Sequence, residues 1–146
     1  MKDRQNNRSS LFLIELILAI LFFSLASAVC VQVFVKAHFI SQSAAELTMG
    51  TSYATSAAEV LSGTDGSLEA VRKYFPDVLE DNGSLCVYYD ENGESCSRDK
   101  SVYSLCMQET LTGYKRNANI QFKAKDGTVI YSLDTVIRIP RTAGGN

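Results

Sequence analysis

Few residues in this chain have both the type and the setting to do chemistry. Glu15 is the first. It is the one formal charge in the 25 positions of residues 11–35. A carboxylate held in hydrocarbon costs about 2.5–3.5 kcal/mol on insertion scales, so it asks for a reason. Four cysteines follow, at Cys30, Cys86, Cys96 and Cys106. None sits in a C-x-x-C pair, which argues against zinc and thioredoxin-like redox chemistry. His38 is the single histidine. With no second ligand or nucleophile near it in sequence, it reads as an interfacial side chain rather than a catalytic base. The run Asp90-Glu91-Asn92-Gly93-Glu94, continuing to Asp99, offers hard oxygen ligands of the kind calcium takes. Its glycine is misplaced for a helix-loop-helix calcium site, and no terminal glutamate follows at the needed spacing. A solvated hairpin loop is the expected reading, so no metal and no cofactor are expected. No G-x-S-x-G, glycine-rich phosphate loop or paired-histidine motif occurs, and no catalytic residue is expected.

The elements that position Glu15 begin with the charge distribution. The formal net charge is −2. Lys2, Arg4 and Arg8 against Asp3 give the first ten residues +2, so the rest carries −4. That balance argues against direct nucleic-acid binding, which needs clustered cations. A helix over residues 11–35 is about 37 Å long, enough to cross a bilayer core of about 30 Å. Basic residues precede the run and only Lys36 closely follows it, which places the N-terminus in the cytoplasm and the C-terminal part outside.

Three readings of this segment stand: a plain signal anchor, a secretory signal cut after Ala26-Ser27-Ala28, and a leader cut on the cytoplasmic side of the run. Only the third gives Glu15 a use. Ser10-Leu11-Phe12-Leu13-Ile14-Glu15 resembles the signature of type IV pilins and type II secretion pseudopilins. This chain has Ser10 where that family more often has Gly, and Leu11-Phe12 where it more often has Phe-Thr. The resemblance implies a leader of residues 1–10, cleavage by a prepilin peptidase between Ser10 and Leu11, and N-methylation of Leu11. It implies that Glu15 sets the register between subunits, because the new Leu11 amine and the Glu15 carboxylate are opposite charges in a low-dielectric layer. It implies other pilin or pseudopilin subunits, the peptidase, the cytoplasmic membrane and an assembly platform as partners. The chain is then a structural subunit of a type IV pilus, type II secretion or competence filament. The alternative is a secreted or single-pass membrane-anchored extracellular binding module.

The expected fold is α+β and pilin-like: a long N-terminal helix against a small antiparallel meander of about four strands. Residues 11–35 form the transmembrane half and 36–62 an amphipathic half. Ile40, Ala44, Leu47, Thr51, Ala54, Ala58 and Leu61, spaced alternately by four and three, make its stripe, with Gln42, Glu46, Ser52 and Glu59 off it. Residues 63–140 form the head, with a short helix over 68–74, and 141–146 a loose tail. Alternation over 85–90 and 102–107 sets Leu85 opposite Met107, Val87 opposite Leu105 and Tyr89 opposite Tyr103. The same register sets Cys86 opposite Cys106, the preferred disulfide; Cys86–Cys96 is the second choice. Asp126-Gly127 predicts a tight turn pairing Ala124 with Val129, Phe122 with Tyr131 and Ile120 with Leu133.

Overall fold

The computed structural model describes the backbone over residues 3–139 and side chains over 8–139. Pro140, the expected loose tail and the first two leader residues lie outside the described residues. The chain divides into two units, residues 1–43 and 44–146. Among the described residues, the first holds only helix. The helix α1 spans Asp3–Gly63, so it begins inside the expected leader and passes Ser10-Leu11 without a break. No proline falls within it, and leucine, alanine and glutamate throughout favour it.

In the second unit, the last turns of α1 pack on a five-stranded antiparallel sheet in the order β1-β2-β3-β4-β5. The strands are β1 (Leu79–Asp81), β2 (Ser84–Tyr89), β3 (Tyr103–Thr112), β4 (Lys115–Ala124) and β5 (Val129–Arg138). A short helix α2, Leu68–Arg72, is capped by the Ser67 hydroxyl, which accepts from the Ala70 amide at 3.3 Å. The architecture is α+β, as expected, with one strand more. β1 is an edge strand of three residues without alternation. It is joined to β2 through Asn82 and Gly83, both at positive φ (49° and 77°), the backbone that a tight hairpin turn demands.

The β2–β3 register is the one read from the alternation. Leu85 faces Met107, Cys86 faces Cys106, Val87 faces Leu105 and Tyr89 faces Tyr103. The last hairpin differs near its turn. Ile120 faces Leu133 and Phe122 faces Tyr131, but Lys123, not Ala124, faces Val129 across a bulge. The turn is wider than two residues: the Ala124 amide donates to the Thr128 carbonyl and the Gly127 amide to the Ala124 carbonyl, each at 2.9 Å, and the Asp126 carboxylate accepts from the Thr128 amide at 2.9 Å. The extra residue is Ile130. It packs on the core, while Val129 is turned outward.

The helical stripe also needs correcting. Gly50, Ala54, Ala57 and Leu61 are buried, flanked by half-buried Glu46, Met49 and Tyr53, whereas Leu47 and Thr51 are exposed. The buried face is rotated because the sheet approaches at the smallest residue. A Cβ on Gly50 would stand 2.8 Å from Phe122 and 3.2 Å from Tyr131. Alanine at this position is the better helix former by about 1 kcal/mol. Phe122 is fully buried and cannot swing away, and overpacking costs about 1–3 kcal/mol. Gly50→Ala is therefore expected to destabilise the head by about 1 kcal/mol, lowering its melting midpoint by about 4–8 °C. An unchanged or raised midpoint in thermal circular dichroism would contradict this packing.

Candidate assembly surface

Ser10, Leu11 and Glu15 all lie on α1 and all are exposed. Leu11 and Glu15 are one helical turn apart, so they share a face. Around them, every residue from 8 to 43 is exposed. Phe12, Phe22, Phe23 and Phe34 each keep 66–76% of their surface open. A stretch this apolar and this exposed must be covered by lipid or by other protein. From Arg8 onward α1 contains a segment long and apolar enough to cross a bilayer. Ser24 does not interrupt it, since its hydroxyl donates to the Ile20 carbonyl at 2.8 Å. Glu15 forms no ion pair among the described residues. Cys30 is a free thiol on the same exposed segment. His38 is exposed, its ring edge-on to Phe39 at 6.4 Å.

In the head, Cys86 and Cys106 are bonded across β2 and β3, their Cα atoms 4.2 Å apart, the close spacing of a directly opposed pair. A disulfide fits an extracytoplasmic head. Cys96 is free and half-buried. The acidic loop is held by its own backbone: the Asp90 carboxylate accepts from the amides of Asn92 and Glu94, each at 2.9 Å. The Tyr53 hydroxyl ties the loop to α1 by donating to the Gly93 carbonyl at 2.7 Å. Among the described residues, no cluster of His, Cys, Asp or Glu is placed to hold a metal ion. Tyr53 stacks on Tyr89 with ring centroids 4.4 Å apart. Burial pushes the Tyr89 hydroxyl up to about 12, so Tyr89 brings no charge into the core at neutral pH.

Two polar ties bind the head section of α1 to the sheet. At one end, the Tyr103 hydroxyl donates to Glu46 at 3.1 Å. At the other lies a residue that sequence reasoning passed over. Arg116 is buried, and its guanidinium donates to the carbonyls of Leu61 and Thr64, the latter at 2.7 Å. The last turn of a helix leaves carbonyls without partners and carries partial negative charge; α1 has no basic residue of its own there. Arg116 supplies the cation from β4. Beside it is Glu109, 3.5 Å from the Arg116 Nε. Burial raises the Glu109 carboxyl above its ordinary range, opposed by Arg116 and reinforced by the Asp65 charge. The signal was present in sequence: Arg116 occupies an inward position of the alternation that continues through Ala118, Ile120 and Phe122.

Compared with protein-family models, curated proteins and solved structures, the chain matches none.

Proposed function

We propose that this chain is a structural subunit of a membrane-borne filament of the type IV pilus or secretion pseudopilus kind, and not an enzyme. The observation that carries the reading is Glu15, a lone carboxylate one helical turn from Leu11 in a fully exposed apolar segment. A plain anchor gains nothing from that charge. A filament gains a register mark, because cleavage between Ser10 and Leu11 creates an amine for Glu15 of the same or a neighbouring chain to neutralise. Before cleavage α1 rests in the membrane with its N-terminus in the cytoplasm and its disulfide-bearing head outside. After cleavage the apolar segment moves from lipid into contact with other copies, which cover the same surface. The uncut or secreted binding module remains the alternative reading.

The mass of the mature protein separates them. The filament reading expects a chain beginning at Leu11, with or without one methyl group. A chain beginning at Val29, after Ala26-Ser27-Ala28, or one retaining Met1, would overturn it.

A further inference from the structure

Where α1 ends, at Gly63, it meets the tip of β3, β4 and β5, and Arg116 of β4 donates there to the carbonyls of Leu61 and Thr64. The last inward row of these strands is Leu111, Arg116 and Ile137. Beside that row is a hollow of about 350 Å³, walled by Leu111, Ile137 and Ile139 together with Thr64, Asp65 and Arg138. Leu111, near the end of β3, and Tyr114, within the β3–β4 turn, are 69% and 64% exposed. At the rim of the same tip, Lys115 stands directly opposite Arg138, which also borders the hollow. Like charges facing one another across strands destabilise a sheet unless an anion joins them. Neither forms an ion pair among the described residues, and the nearby Asp65 carboxylate already accepts from the Ser67 amide at 2.9 Å. This end of the head is therefore apolar with a basic rim.

The other end of β3 carries an acidic loop, with Lys123 and Lys125 on the neighbouring β4 side. Tyr103, its first residue, faces Tyr89, and the acidic loop of residues 90–94 follows directly. Glu91 and Glu94 are exposed and form no ion pair among the described residues. β3 has ten residues, so the two ends are roughly 30 Å apart along the strand. A surface at one pole that complements a surface at the other makes a heterologous, head-to-tail contact, the kind that repeats into an open filament.

We infer that the basic, apolar β3–β4 tip of one head docks a second copy of this chain through that copy's acidic 90–94 loop. Glu91 and Glu94 meet Lys115 and Arg138, and the hollow takes an apolar side chain from beside the loop. The inference rests on the filament reading for its setting, and its test does not need filaments to form.

The test uses the full chain in cell membranes, with a photoreactive benzoyl side chain in place of Leu111. Illumination is expected to yield a covalent dimer whose cross-linked peptide contains residues 90–94. Lys115→Glu with Arg138→Glu, or Glu91→Lys with Glu94→Lys, is expected to lower dimer yield about tenfold or more, the scale of about 1.4 kcal/mol. Combining both reversals in one chain is expected to restore the yield to within about twofold. Cross-links to lipid or to another protein, no dimer, or a reversal that the second reversal does not rescue would overturn the contact. A rescued cross-link from a chain whose mature mass begins at Val29 would support the contact and sink the filament reading separately. Filaments that form normally with both single-side reversals would keep the filament and remove this contact.

Discussion

Glu15→Ala is expected to leave the chain inserted in the membrane and to lower its recovery in filaments by tenfold or more. The two effects have opposite signs because the carboxylate acts differently in the two environments. In the bilayer it is a burden of about 2.5–3.5 kcal/mol, so alanine makes insertion no harder. In a filament of the proposed kind, the amine that cleavage would create at Leu11 is also a buried charge. Removing Glu15 leaves that amine without a counter-ion, and an uncompensated buried charge costs about 3–5 kcal/mol. A change of 1.4 kcal/mol is already tenfold. Glu15→Gln, similar in shape but neutral, is expected to behave like alanine, which separates charge from packing. The measurement is the fraction of chain in sheared filaments against the fraction in membranes. Equal partition of all three proteins would show that Glu15 does not set the register.

How much of this was legible beforehand depended on whether a residue's partner could be named from spacing alone. Cys86 and Cys106 could be paired because the register that joins Leu85 to Met107 and Val87 to Leu105 joins them too. Glu15 stood out because it interrupts an apolar run. The phase of the helical stripe was harder. Residues 44–58 are rich in small side chains, so adjacent stripes look equally apolar. The choice between them falls to Phe122, which needs Gly50 beneath it. β1 was missed because three edge residues carry no period. The displaced pairing at Val129 goes with a turn closed between Ala124 and Thr128 rather than around Asp126-Gly127 alone. Those backbone bonds are not reported by spacing. The inward position of Arg116 was legible in the alternation of β4, but its role was not. Its partners are two helix-end carbonyls, 52 and 55 residues earlier in the chain, and backbone groups leave no mark in sequence.

Arg116→Met is expected to destabilise the head strongly. The guanidinium makes two charged hydrogen bonds to the end of α1, each worth about 1.5–3 kcal/mol. Methionine recovers some packing in the same space and leaves those carbonyls, and Glu109, without a partner. A net loss of about 3 kcal/mol follows, or roughly 12–24 °C in the melting midpoint of a head this size. The loss should also depend on pH in a direction that identifies its source. Glu109 has a folded-state value raised above 4.5 by burial. A carboxyl raised in the folded state contributes stability below its unfolded value, and that contribution is lost as pH rises through the folded value. Arg116 is the one influence that holds this carboxyl down; without it the raised value climbs further. The deficit of Arg116→Met should accordingly be larger at pH 8 than at pH 5. Adding Glu109→Gln should remove that pH dependence and recover part of the stability, leaving the cost of the two unpartnered carbonyls. The chain has seven tyrosines and no tryptophan, so near-ultraviolet circular dichroism of the full chain in detergent can follow the head through a denaturant series at each pH. An equal deficit at both pH values would mean that Arg116 acts only as the cap of α1 and that Glu109 is no part of the joint.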